Sequence, residues 1–483
     1  MGIEKKRNNS LFKNSIFNTM YRLLNALFPL VTASYVSHVI FASGVGKVAS
    51  AQNIVQYFVL IASLGIPNYG VREIAKSRID AEEKGKVFSE LFILNLITTL
   101  LSITVYYCMV LGFTHFEPEK SLYLIVGVSI ILNIFNVDWY YQGVEEYVYI
   151  AKRSIFVKIA SIVCIFLFVK KPEDYINYAL ISVVALAGNY IFNIANLHKH
   201  RVRFVVKDIN VCRHLKPVMI LLCTTISIEL YTLLDTTMIT YFCSSEDVAY
   251  YSNSIKIVKM IIVVVTSLGT VLLPRLSRYV KEGNIEGCNK IVNTVLSILL
   301  FIFLPAGIGI ILISDNLVPL LFGSTFLPAA LTLKITALLI YALGFSNLFG
   351  TQILLSFGAE KKLLLCTIIG AVSNICMNLT FIPIYQENGA AVASVISEAI
   401  VTIMTFIFSR KMITYRINNR FFLISIIATV AMAVFVSVIN LFVDNKFVNL
   451  IIAISGAVLI YFGINTVLKN PILNDLRSVI KRR

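Results

Sequence analysis

Apolar runs, each close to or above the roughly 20 residues that carry a helix across a bilayer, alternate with short polar breaks along almost the whole chain. They fall at about 15–38, 48–67, 87–112, 120–140, 154–170, 175–197, 214–242, 248–273, 290–313, 326–357, 362–383, 389–409, 421–443 and 447–468. The pattern predicts an all-α polytopic membrane protein of about 14 transmembrane helices. The run at 326–357 is long for one crossing and is expected to tilt, kink or leave the bilayer in part. A basic N-terminal segment (Lys5, Lys6, Arg7, Lys13) precedes the first run, which is too long for a signal-peptide core and has no small-residue cleavage site after it.

Composition agrees: 58% of the 483 residues are hydrophobic and 14% charged, with a mean hydropathy of +0.82. A soluble enzyme carries nearer a quarter charged residues, so that class is excluded, as are disordered chains and disulfide scaffolds. The net charge of +16 first suggests nucleic acid, but its distribution argues otherwise. Alternate breaks, counted from the N-terminus, hold about 32 Lys and Arg and the intervening ones about 5. This positive-inside asymmetry predicts that both termini are cytoplasmic. The eight cysteines form no CxxC pair and read as reduced, small hydrophobic residues without a metal site. No break exceeds roughly 20 residues, which leaves no room for a soluble catalytic domain. Gly44-Val45-Gly46-Lys47 resembles a phosphate-binding loop but lacks its first glycine (Phe41) and its Ser/Thr (Val48).

A weak repeat relates Val48-Ala49 and Asn53 to Val248-Ala249 and Asn253, and Ser63-Leu64-Gly65 to Ser267-Leu268-Gly269. It suggests six-helix bundles at 1–213 and 214–410, followed by two extra helices and a tail at 411–483. Parallel repeats of this kind are a transporter layout with substrate between the halves.

The remaining five cations, Arg22, Lys158, Lys256, Lys259 and Lys334, lie inside apolar runs. A charge at the bilayer centre costs about 2.5–3.5 kcal/mol on insertion scales, so its retention points to function. Asn14, Asn18, Arg22 and Asn25 share one face of the first helix, and Ser252, Lys256, Lys259 and Thr266 share one face of the eighth. Lys334 adds a cation in the tenth span. These stripes would suit a water-filled cavity with an anionic guest, with Arg22 reading phosphate as a fork and the lysines acting as point charges. The acids Glu229, Asp235 and Glu398 would serve ion coupling or pair with the cations. Lys158 and Asp138 are read as snorkelling at helix ends. His198 and His200 are read as solvated.

Asp138-Trp139-Tyr140-Tyr141-Gln142-Gly143-Val144-Glu145-Glu146-Tyr147 resembles a stretch at the end of the fourth helix of bacterial Wzx-type polysaccharide flippases. Pro67-Asn68-Tyr69-Gly70-Val71-Arg72-Glu73 and Leu273-Pro274-Arg275-Leu276-Ser277 resemble that family's loops after helices 2 and 8. The motif residues Asp138, Trp139, Gln142, Gly143 and Glu145 carry most of the likeness, which extends over nearly the whole chain. It implies a MATE-like fold of the multidrug/oligosaccharidyl-lipid/polysaccharide exporter superfamily. It further implies a flippase that moves undecaprenyl-diphosphate-linked oligosaccharide units, O-antigen foremost, across the bacterial inner membrane by alternating access, with no cofactor and with other polysaccharide-assembly proteins as partners. Related lipid II flippases place arginines on helices 1 and 8; here Arg22 matches the first, while Lys256 and Lys259 stand in for the second. A plainer reading makes Trp139, Tyr140 and Tyr141 an interfacial aromatic belt and Gly70 and Gly143 helix ends. The rival functions are a cation-coupled small-molecule antiporter of the same fold and a membrane-embedded glycan polymerase or ligase.

Overall fold

The computed structural model describes residues 2–77, 80–198, 204–205 and 209–473; the side chains of 2–24, 26, 81, 220, 223–232 and 264–271 lie outside the described set. Helices account for almost all of it. In chain order they are α1 (Gly2–Ser63), α2 (Ile66–Lys76), α3 (Ala81–Gly112), α4 (Lys120–Leu132), α5 (Asp138–Gly143), α6 (Tyr147–Phe168), α7 (Tyr175–Leu197), α8 (Cys212–Phe242), α9 (Ser245–Lys281), α10 (Ile285–Phe322), α11 (Ala329–Thr336), α12 (Leu339–Ser346), α13 (Glu360–Ser409), α14 (Asn419–Phe442) and α15 (Lys446–Val467).

Among the described residues nine stretches are long and apolar enough to cross a membrane. Two of them, Leu27–Lys76 and Glu360–Ser409, break at Phe41 and Gln386 and each carries two of the predicted spans. With α6, α8 and α9 they account for the 14 spans read from the sequence, and the chain is a multi-pass membrane protein. The long run at 326–357 is indeed interrupted: α11 and α12 are followed by a π-helical turn over Asn347–Leu354. The 120–140 run also breaks, between α4 and α5. There the Asn133 carbonyl accepts from the Asn136 backbone amide at 3.1 Å and, across the helix interface, from the Asn95 side-chain amide at 2.9 Å.

Helix starts follow capping chemistry. Asp80 accepts from the Glu82 and Glu83 amides at the head of α3, and Asn418 and Asn445 do the same for α14 and α15. In the connection between α13 and α14, the Tyr415 hydroxyl donates to Ser409 Oγ at 2.6 Å. Burial pushes that phenol up to about 12, so it stays a neutral donor.

The chain divides into two compact units, Met1–Thr240 with Ser244–Ala249, and Tyr241–Cys243 with Tyr250–Arg483. This packing boundary falls one helix beyond the repeat boundary at 213/214, because α8 packs with the first unit. In that unit the second half of α1 lies against α3, where Thr98 donates to the Ala62 carbonyl at 2.6 Å and Ser102 to that of Phe58 at 2.8 Å. Gly65, at the junction of α1 and α2, has φ of 76° and sits where a Cβ would come within 2.9 Å of the Leu222 amide nitrogen. Only glycine meets both demands. In the second unit α14 and α15 dock on α10, with the Tyr461 hydroxyl on the Phe301 carbonyl at 2.7 Å and Asn316 on Asn449 at 3.0 Å.

Candidate functional site

The two loop motifs of the first half fold into one knot. Gly70 lies in the middle of α2, and a Cβ there would meet the Trp139 ring at 2.5 Å. Gly143 closes α5 against Ile74 in the same way, at 2.7 Å. Trp139, Tyr140 and Tyr141 are 3%, 0% and 0% exposed, and Trp139 stacks on Phe88 with centroids 5.5 Å apart. These aromatics therefore do not form an interfacial belt: the missing side chain at Gly70 opens a slot that the indole fills. Glu145, at the end of the motif, turns the chain with φ of 64°, and Gln142 is half-buried.

Asp138 is not snorkelling either. It accepts from Arg153 Nη1 at 2.9 Å and from Asn193 Nδ2 at 2.6 Å, and Arg153 also donates to the Asn193 amide oxygen. The Arg153 side chain is 4% exposed, so the pair is a buried brace joining α5, α6 and α7.

A second buried network went unnoticed in the sequence. Glu90 on α3, fully buried, faces His214 Nε2 at 2.8 Å and Arg213 Nη2 at 2.6 Å. The other imidazole nitrogen of His214 meets the Tyr69 hydroxyl at 2.9 Å, which ties α2, α3 and the start of α8 together. A carboxylate within the first turns of an apolar run was the available signal. Its partner lies 124 residues away, where no spacing rule points.

The polar-stripe residues distribute as follows. Asn18, Arg22 and Glu229 lie outside the described residues. Asn25 is exposed and accepts a hydrogen bond from Lys158 Nζ at 2.5 Å, with that ammonium also 5.2 Å from the Phe28 ring centre. Lys158 thus turns toward helix 1 rather than toward a helix end, which corrects the snorkelling expectation. On α9, Lys256 donates to Asn253 at 2.9 Å, and Lys259 is exposed. Lys334 on α11 pairs with Asp315 on α10 at 2.6 Å, and the Asp315 side chain is 64% exposed. Glu398 is 7% exposed and accepts from the Ser346 hydroxyl at 2.6 Å; Asp235 is 1% exposed. The structure therefore brings Asn25 together with Lys158, a residue outside the original set, and gives Lys334 an acid partner that the sequence reading did not name. Glu387 is another buried acid, hydrogen-bonded to Asn388 at 3.0 Å beside the Gln386 break. Among the described residues, no group of three His, Cys, Asp or Glu is placed to hold a metal. Chemically, Lys158 with Asn25 and Lys256 with Asn253 are cations held by amides, an arrangement that attracts anions.

Comparison with known proteins agrees with this architecture. A family described as polysaccharide biosynthesis protein matches residues 11–280, and the MatE family matches 221–380. A Shigella dysenteriae protein named "Putative O-antigen transporter" is 21% identical over 81% of this chain and 98% of its own. Its namesake in Escherichia coli (strain K12) is 22% identical over 83% and 97%. Lipid II flippase MurJ of Bacillus subtilis is 26% identical over 47% of this chain and 44% of its own. Among solved structures, lipid II flippase MurJ in an inward closed conformation superimposes with a TM-score of 0.73 at 19% identity, covering 97% of this chain and 99% of that one. An inward-facing MATE multidrug transporter gives 0.67 at 15% identity, over 82% and 97%. The fold is that of MurJ and MATE transporters.

Proposed function

Because the chain belongs to the polysaccharide biosynthesis protein family, we propose that it is a flippase for undecaprenyl-diphosphate-linked oligosaccharide repeat units, O-antigen foremost, in the bacterial inner membrane. It carries them from the cytoplasmic to the external leaflet by alternating access, with both termini cytoplasmic. The two named O-antigen transporters, matched over more than four-fifths of this chain, support the substrate class. The observation that carries the reading is the set of cations inside apolar helices, with Lys256 held by the Asn253 amide. An anionic headgroup complements such sites, whereas a small cation is repelled. Arg22 and Lys259 complete the set, with Asn18 beside Arg22 on the first-helix stripe, and Lys334 contributes from its pair with Asp315.

Deletion of the gene in its native host tests the proposal. Loss of long-chain surface polysaccharide, with complete lipid-linked repeat units stranded on the cytoplasmic leaflet, is the expected result. The MatE match and the buried acids Asp235 and Glu398 favour a second reading, a cation-coupled antiporter. Unchanged polysaccharide together with new sensitivity to cationic dyes selects it.

A further inference from the structure

Lys158 sits on the protein-facing side of α6. Its neighbours one and two turns away, Ala151, Ser154, Ser161 and Ile165, are between 0% and 7% exposed. The opposite side carries Phe156, Ile159, Val163 and Leu167, each at least 50% exposed, and makes the lipid-facing stripe. A lysine in the middle of a buried face is half-buried rather than sealed, and the Asn25 beside it is exposed. The depth of the pair follows from helix rise. Tyr35 of α1 bonds the Val169 carbonyl at the end of α6, and Lys158 lies eleven residues before Val169, hence about 16 Å along the axis. That is about half of a ~30 Å hydrocarbon core.

The donor inventory of the pair is one-sided. Nζ has three N–H groups and gives one to Asn25 Oδ1, leaving two. Having used its oxygen, Asn25 presents its two amide hydrogens. Among the described residues no carboxylate lies within 4.0 Å of Nζ, and the other neighbour is the Phe28 ring. A cation near mid-membrane with spare donors and, among the described residues, no acid partner offers a site to an anionic acceptor.

We infer that Lys158, steered by Asn25, contacts the diphosphate of the lipid-linked substrate. The inference rests on the flippase reading and adds a phosphate contact on α6, outside the stripes of helices 1 and 8. Asn25 is the positioning residue: it holds the ammonium across the gap between α1 and α6, away from the lipid-facing stripe.

The test measures binding of undecaprenyl diphosphate and of undecaprenol to the purified full-length chain, for the wild type, Lys158→Met, Lys158→Arg and Asn25→Leu. Lys158→Met is expected to weaken diphosphate binding about tenfold and leave undecaprenol within about twofold, because a charge-assisted contact is lost and apolar packing is kept. Lys158→Arg retains most of the diphosphate affinity, and Asn25→Leu falls between the two. If Lys158→Met binds diphosphate as the wild type does, or loses both lipids equally, the assignment is overturned while the flippase reading stands. If the wild type does not prefer the diphosphate to the alcohol, both fall together. Unchanged undecaprenol binding shows that Lys158→Met is folded, and Lys158→Arg controls for any change of packing.

Discussion

Asp138→Ala isolates the brace that holds α5, α6 and α7 together. The substitution removes both oxygens that face Arg153 and Asn193 and leaves a guanidinium, 4% exposed, with the Asn193 amide oxygen in place of a carboxylate. Breaking a buried pair from one side costs about 3–5 kcal/mol, most of it the stranded charge rather than the lost attraction. For a cooperative unit of roughly 150–250 residues each kcal/mol moves Tm by about 2–4 °C, so the expected loss is about 6–20 °C. The reverse change, Arg153→Met, leaves a carboxylate that is 23% exposed and still bonded to Asn193, and should cost less. The double variant strands no charge, only the buried Asn193 amide, so it should be more stable than Asp138→Ala alone. Thermal unfolding of the purified chain in detergent, followed by aggregation and by tryptophan fluorescence from Trp139, reads all three. Additive losses in the double variant would falsify the brace, since an interacting pair must show coupling.

Other consequences are equally concrete. Gly70→Val places a branched side chain into the Trp139 ring and should cost about 1–3 kcal/mol; Trp139→Leu in the same chain should recover part of it, and unchanged melting of the single variant refutes the slot. Glu90→Ala leaves His214 and Arg213 without their shared acceptor, so amide hydrogen exchange at 209–216 should rise while exchange in α14 and α15 stays the same. Lys334→Ala breaks a partly exposed pair with Asp315 and should cost under about 1 kcal/mol. Any transport defect it shows then reports on substrate rather than folding. Charge reversal at Lys256 and Lys259 should lower surface polysaccharide at least about tenfold at equal protein level, and full retention removes the α9 stripe from the binding set.

Helix positions were legible because bilayer thickness makes the apolar run length a direct ruler, and about 14 runs can be read in 483 residues. The breaks were less so. Nothing in the 120–140 run says that it ends as a helix near Asn133, because Asn95, which bonds the break, belongs to another helix. The same blindness to distant partners hid the Glu90 and His214 pair. Motif residues were found, but the plainer of their two readings fails: Trp139 in isolation looks interfacial, and only its contact with Gly70, 69 positions earlier, turns it inward. Lys158 looked peripheral because Lys152 and Arg153 precede it, yet Arg153 is itself buried. Charge placement by run boundaries works where cations face water and fails where they have private partners.

The link between Glu90 and His214 bears on how the chain is made. A ribosome extending at about 5–20 residues per second needs about 6–25 s to travel the 124 residues from the acid to its imidazole. During that interval α3 has emerged and its carboxylate has neither His214 nor Arg213. The acid lies nine residues inside α3, close enough to its capped end for the nascent helix to hold that turn at the headgroup level until α8 arrives. The contacts that tie α2 and α3 to the start of α8 are thus among the last of the first unit to form. A chain truncated before residue 212 should show faster amide exchange around Glu90 than one that continues through α8.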